Sequence, residues 1–441
     1  MIDTRRQFIV QAGVAVGTLF TPAVLRAAQA QDWAVDAALQ KRMYDKALAI
    51  ALKKVRGGPE DPYFRKPFTD AAFSSNIFYW DTCFIATYAK YHLGVLPIEN
   101  ALDNFYRFQD ADGFICREYT KQGKPFWSKD HPVATNPPLL AFAELEVYQQ
   151  SRDRDRLVRV YPQLKRHFDW LVAAFRMDDG LFISDGLGSG MDNIPRYPIG
   201  WKDDEQGIPL VQLFPQIYNH DTLDSRWNRQ GRSVDMSAQM ALFALNMKTI
   251  ARLIGQSRDV AGYDRLHRSI KVAVNARCWD EATGFYYDLG YGKPIMRKHI
   301  GMFWTLIADL VPKQRLARMI AHLTDPASFW RRTPVATFPA DQRGFDPKGG
   351  YWLGGIWAPT NYMIIRGLER VGRGDVAERL ARQFYWSVAR VFEQTDTFWE
   401  NYAPDVLERG NASKPDFCGW TALAPITLWH EYIKPEAVRR A

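Results

Sequence analysis

Residues 154–182 read RDRLVRVYPQLKRHFDWLVAAFRMDDGLF. Leu157, Val160, Tyr161, Leu164, Phe168 and Leu171 recur at the i, i+3, i+4, i+7 spacing of a single helical face. That spacing predicts an amphipathic helix over 154–176. The helix then runs out into Asp179-Gly180-Leu181-Phe182, a turn followed by a short apolar, strand-like piece. The same turn recurs as Asp112-Gly113-Phe114-Ile115 and Thr283-Gly284-Phe285-Tyr286, and in degenerate form as Asp396-Thr397-Phe398-Trp399. A helix followed by one turn, repeated along the chain, is the sign of an internal repeat.

Working outward, helical periodicity dominates. Helices are predicted near 34–55, 80–94, 97–109, 137–151, 154–176, 232–255, 258–278, 299–308, 312–323, 359–371, 373–393 and 419–434. Breakers such as Gly94 to Pro97, Gly255 to Ser257 and Gly372 to Gly374 are short, so consecutive helices pack as antiparallel hairpins. Six hairpins in one domain predict an all-α fold, an (α/α)6 toroid with an inner and an outer ring of helices and short strand-like loop pieces. In that arrangement the segments after the repeated turns emerge at one end. This would bring residues 192 and 400 to one mouth.

The first 30 residues are read as a targeting segment and set apart from the fold. Arg5-Arg6 followed by the apolar run at 8–20 resembles a twin-arginine export signal, and Ala28-Gln29-Ala30 suits cleavage before Gln31. The run is shorter than the roughly 20 residues of a membrane span. The expectation is a periplasmic or secreted protein, free of the membrane after cleavage, with residues 31–441 as a single domain.

The formal charge of +8 falls to about +6 once the signal is removed. Its basic residues are interspersed with acids, which argues against a nucleic-acid partner. Cys83, Cys116, Cys278 and Cys418 have no metal-ligand spacing, leaving one disulfide or buried free thiols open. Asp110 and Asp112 flank a turn but lack the ligand set of a Ca²⁺ loop. No phosphate loop, dinucleotide fingerprint or zinc motif is present, so neither a cofactor nor a metal is expected. Trp, Tyr and Phe number 15, 20 and 26, and many flank Gly, Asp, Asn or Pro in loops. Such aromatics suit a sugar ring, which has an apolar face and a polar rim.

Residues 186–196, GLGSGMDNIPR, have neither helical nor strand periodicity. Glycines let backbone approach a ligand, and Asp192 can be aimed at a substrate from such a loop. Asp81, Asp130, Asp192, Asp235 and Glu400 are the candidate acids. Asp192 and Glu400 stand out because both lie in glycine- and aromatic-rich loops. Two carboxyls facing each other across a cleft are what glycoside hydrolysis needs, one giving a proton and one activating water. His131 is a candidate for the mouth. The long stretch at 197–230, with His220 and Asp221, is a candidate lid.

Several ordered motifs carry a resemblance: Tyr79 to Phe84 (YWDTCF), Asn136-Pro137-Pro138, Ser189 to Arg196 (SGMDNIPR), Gly350 to Tyr362 (GYWLGGIWAPTNY), and Glu400-Asn401-Tyr402 with Gly419-Trp420. Together they resemble the six-hairpin glycosidases. The resemblance is strongest to glycoside hydrolase family 63, which holds processing α-glucosidase I and the mannosylglycerate and glucosylglycerate hydrolases. Trehalases of family 37 are more distant. It covers about residues 76–421 and implies an (α/α)6 barrel hydrolysing an α-glycoside with inversion. By position, Asp192 resembles the general acid and Glu400 the general base. Asp81 matches the acid that holds sugar hydroxyls in the −1 subsite. Trp80, Asn136, Asn193, Arg196, Trp352, Trp357, Asn361, Tyr402 and Trp420 resemble further substrate-binding residues. Met191, Ile194, Leu353 and Ala358 depart from the family pattern.

The implied function is an exported α-glucosidase- or trehalase-like enzyme acting on a small carbohydrate. Two other classes fit the same barrel: a polysaccharide lyase or unsaturated-uronide hydrolase, and a non-catalytic sugar-binding protein.

Overall fold

The computed structural model describes residues 33–71, 74–130, 132–184, 186–196, 230–417 and 419–434. The export segment, His131, Cys418, and the 197–229 stretch with His220 and Asp221 lie outside the described residues. The compact unit that begins at Val35 holds every element below.

It is mainly helical. In chain order the helices are α1 (Ala37–Lys53), α2 (Tyr79–Ala89), α3 (Ile98–Arg107), α4 (Leu140–Ser151), α5 (Arg154–Phe175), α6 (Val234–Ile254) and α7 (Ser257–Arg277). There follow α8 (Trp304–Ile307, entered through a 3₁₀ turn), α9 (Lys313–Thr324), α10 (Ala358–Arg370), α11 (Gly374–Thr395) and α12 (Ala424–Ile433). All twelve expected helices are present. The last is wound as a π-helix, which hydrophobic spacing alone does not reveal. The strands are two-residue antiparallel pieces, such as Ile77–Phe78 against Glu118–Tyr119.

Local chemistry sets the helix ends. Asp153 caps α5 by accepting from Arg156 N at 2.9 Å, and Ser233 caps α6 by accepting from Met236 N at 3.3 Å. On α5 the expected stripe is buried, with Leu157, Val160, Leu164, Phe168 and Leu171 all turned inward. By contrast, every residue of α2 is buried. A helix buried all round must be surrounded by others, whereas one buried on a single stripe faces solvent.

The packing follows that division. α2 packs on α4, α4 on α6, α6 on α8 and α8 on α10. α10 then meets the turn Thr421–Leu423 that opens α12, and both that turn and α12 return to α2. Against this succession lie α1 on α12, α3 on α2, α5 on α4 and α6, α7 on α6, and α11 on α10 and α12.

In three of the repeated turns an aspartate side chain accepts from a nearby backbone N–H. Asp112 accepts from Phe114 N and Asp179 from Leu181 N, each at 3.1 Å, and Asp280 accepts from Thr283 N at 2.7 Å. The glycine of each turn has positive φ; at Gly113 a Cβ would meet Arg166 O at 2.3 Å. The fourth turn has no glycine, and there Asp396 itself takes φ 49°.

Candidate functional site

The turns deliver Asp192 and Glu400 to one place. The Tyr351 hydroxyl lies 3.4 Å from Asp192 Oδ2 and 3.5 Å from Glu400 Oε1. Those two oxygens are therefore no farther apart than the two contacts laid end to end. Among the described residues, neither carboxylate makes an ion pair.

The acid-bearing loop is built from within. Ser189 Oγ donates to Gly186 O at 2.6 Å and accepts from Met191 N at 3.2 Å. Met191 and Ile194, which depart from the family pattern, are buried apolar anchors beneath Asp192. Gly190 has φ 79°, and a Cβ there would meet the Trp80 ring at 2.5 Å. Only glycine allows the loop to lie on that tryptophan. Asn193 joins this loop to the aromatic one: its Oδ1 accepts from Trp352 N at 2.8 Å and its Nδ2 donates to Gly350 O at 3.1 Å. Asn136 Nδ2 donates to Gly188 O at 3.2 Å.

Four tryptophans wall the site. Trp352 and Trp357 stack face to face with centroids 4.0 Å apart. Trp80 packs on Trp352 at 6.1 Å, and Trp420 packs edge-on to Trp80 and Trp357 at 5.6 and 5.4 Å. The Trp420 indole also donates to Glu400 O at 3.2 Å, fixing the backbone beneath the second acid.

Asp81 stands in the first turn of α2, buried at 2% exposure. Its Oδ1, Glu400 Oε2 and the Trp352 indole N–H are buried without hydrogen-bond partners among the described residues. Buried polar groups left open in this way call for an explanation. Two acceptors and a donor match the hydroxyls of a sugar.

Burial raises all three acids. It lifts Asp192 to about 6, against the opposing pull of Arg117, the Tyr351 hydroxyl and Lys414. It lifts Glu400 to about 7, where Asp192 adds to the rise and Lys414 opposes it. Burial, reinforced by Asp70, pushes Asp81 well up. Each carboxyl can therefore hold a proton far above the ordinary carboxylate range.

Some expected pocket residues have polar atoms engaged by the protein itself. Arg196 is committed to carboxylates, its guanidinium bonding Asp235 and, at 3.0 Å, Asp288, with 1% exposure. These bonds tie down the end of the acid loop. Asp235, a candidate acid, is the partner of Arg196. Burial works against that carboxylate's charge, but Arg196 outweighs it and holds the group below its ordinary range. Asn361 uses both ends of its amide on backbone, accepting from Val335 N at 2.9 Å and donating to Pro334 O at 3.0 Å. The Tyr402 hydroxyl accepts from Trp399 N at 3.3 Å and its ring packs on Phe384. Asp130 is exposed beside Ser128, and Asp110 and Asp112 pair with Lys129. Cys83, Cys116 and Cys278 are buried free thiols.

Three site residues escape the sequence reading: Tyr351, Arg117 and Lys414. Tyr351 lies within the motif at 350–362 without being singled out from it. Arg117 and Glu400 each follow a repeated turn by a few positions, and that shared placement is the available signal.

Residues 74–417 match the family described as the mannosylglycerate hydrolase MGH1-like glycoside hydrolase domain. An uncharacterized protein of Borreliella burgdorferi is 24% identical over 377 residues, 82% of this chain and 71% of its own length. The mannosyl-oligosaccharide glucosidase of Saccharomyces cerevisiae is 21% identical over 471 residues, 86% of this chain. The match spans only 53% of that yeast enzyme. In structure, the family 63 mannosylglycerate hydrolase of Thermus thermophilus, in complex with glucose, superposes with a TM-score of 0.68 at 20% identity. That superposition covers 88% of this chain and 99% of the other. The chain belongs to the mannosylglycerate hydrolase MGH1-like family of glycoside hydrolases.

Proposed function

We propose that this chain is an inverting α-glycosidase acting on a small α-glucoside or glycosylglycerate, with Asp192 as general acid, Glu400 as general base and Asp81 holding hydroxyls of the reacting sugar. The observation that carries this reading is the Tyr351 hydroxyl, within reach of the half-buried Asp192 and the buried Glu400, neither of which has an ion-pair partner among the described residues. The closed succession α2, α4, α6, α8, α10, α12 supports the inner ring of an (α/α)6 toroid. The paired arginines Arg5-Arg6 support export to the periplasm, which a signal-peptide reporter fusion tests.

In the proposed reaction a sugar lies against the tryptophan wall, its hydroxyls met by Asp81 Oδ1 and the Trp352 indole. Asp192 protonates the leaving oxygen as Glu400 takes a proton from the attacking water. Inverting pairs stand roughly 6.5–9.5 Å apart and retaining pairs roughly 5–5.5 Å. The bound set by Tyr351 admits either spacing, so the product anomer is the discriminating measurement. Purified protein is offered trehalose, kojibiose, nigerose, maltose, glucosylglycerate and mannosylglycerate, with NMR detection of the first anomer released. β-anomer from an α-linked substrate is expected. Release of the α-anomer sinks inversion, and no release from any of the six sinks the proposed substrate range.

Burial raises both carboxyls, and Asp192 raises Glu400 further, so the opposite assignment of roles is tested as well. α-Glucosyl fluoride separates the two readings, since fluoride leaves without protonation. The variant lacking the acid keeps turnover on the fluoride, and the one lacking the base does not. Activity retained by Asp192→Asn supports the proposed roles, and activity retained by Glu400→Gln reverses them.

A further inference from the structure

Arg117 is a half-buried cation that makes no ion pair among the described residues. Its backbone is pinned on both sides: its N–H donates to Ala134 O at 2.7 Å and its carbonyl accepts from Tyr79 N at 2.9 Å. This second bond ties it to the start of α2, two residues before Asp81. The side chain then crosses to the acid loop, where Nη1 donates to Leu187 O at 2.6 Å. The guanidinium stands 6.0 Å from the centroid of the Trp127 ring. Its Nε is buried without a hydrogen-bond partner among the described residues. Among the described residues, that guanidinium has no carboxylate of its own to neutralise it.

Resting on the glycosidase reading, we propose that Arg117 is a positioning residue for the proton donor, tethering the acid loop at Leu187 and presenting its positive charge to Asp192. The groups that act on the Asp192 charge are Arg117, the Tyr351 hydroxyl and Lys414, and Asp192 in turn acts on Glu400. Of these, Arg117 has the largest charge effect on Asp192, and it acts on Asp81 in the same sense. A cation near a buried carboxyl favours the ionised form. Arg117 thus offsets part of the burial that would otherwise hold the proton on Asp192 too tightly to be given up near neutral pH.

The test reads the Asp192 carboxyl directly, by ¹³C NMR of protein labelled at the aspartate side-chain carboxyl, with Asp192→Asn assigning the signal. Arg117→Met is expected to raise the Asp192 midpoint by about one pH unit, the low end of the shift a single nearby charge produces. Arg117→Lys keeps the charge and should return the midpoint to near the wild-type value. Should Arg117→Met fail to fold, Arg117→Gln removes the charge while leaving an amide able to donate to Leu187. A midpoint unmoved in a folded, charge-free variant overturns the proposal and leaves Arg117 as a loop strut. On an active substrate, the alkaline limb of kcat/KM should rise with the NMR midpoint. A moved midpoint with an unmoved limb supports the charge effect and rejects Asp192 as the donor. The two readings therefore fail separately.

Discussion

Glu144 and Glu400 are both buried glutamates, and their surroundings are opposite. Glu144 is fully enclosed, and its two oxygens take both arms of the Arg156 fork at 2.8 Å and the Tyr106 hydroxyl at 3.0 Å. Glu400 has the Tyr351 hydroxyl at 3.5 Å on one oxygen and, among the described residues, a bare second oxygen. The same contrast holds more widely. Lys90 joins Glu146 at 2.6 Å and Glu431 at 3.1 Å, with Tyr362 bonded to both acids. Asp81 and Asp192 have no such cation in contact among the described residues. Satisfied buried charges fix structure, whereas a buried carboxyl left open is held ready to exchange a proton.

Substitutions should sort along that line. Asp192→Asn and Glu400→Gln should each lower kcat on the best natural glycoside by roughly 10³-fold or more, with circular dichroism unchanged. Full activity in either would erase the distinction between the two sets. Lys90→Met should do the reverse: it strands Glu146 and Glu431 and lowers stability by about 3–5 kcal/mol in denaturant melts. The kcat of the folded fraction should change little.

The open carboxyls should also destabilise the fold once ionised. Their folded pKa values, about 6 and about 7, lie above the ordinary carboxylate values. The stability they contribute is fully present below the unfolded pKa, near 4, and is lost as pH rises through the folded values. Above pH 7, Asp192→Asn and Glu400→Gln should therefore melt higher than wild type, by about 1–3 kcal/mol. At pH 4 the advantage should vanish, and an equal gain at both pH values would refute the linkage. The same values predict a narrow bell for kcat/KM with limbs near 6 and 7. The smallest effect belongs to Tyr351→Phe. It removes a hydroxyl that favours ionisation of both acids, so kcat should fall about tenfold and both limbs move upward.

Much of this molecule is legible in its sequence because its elements are long and its punctuation is local. The stripe on α5 and the Asp-Gly turns follow from spacing and from side chain to backbone bonds spanning two or three residues. Asp192, Glu400, Asp81 and the tryptophan wall can be named because each lies in a recognisable motif. Motifs name residues without saying which way they face. Arg196, Asn361 and Tyr402 belong to those motifs, yet their partners are Asp235 and Asp288, the backbone at 334–335, and the Trp399 N–H. Arg117 escapes notice for the opposite reason. Its local context is ordinary, and its partner, Leu187, lies 70 residues away.

The bond from Lys90 to Glu431 joins positions 341 apart in the chain. During synthesis α2 emerges early, with its ammonium-bearing end complete before either acid partner is made, Glu146 following soon and Glu431 last. Because α2 is buried on every side, its last neighbour must arrive before its apolar surface is fully covered. Contacts of such long sequence separation form slowly. A ribosome-held chain stopped short of residue 421 should therefore expose a greasy seam along α2 and α10, the natural target of a holding chaperone.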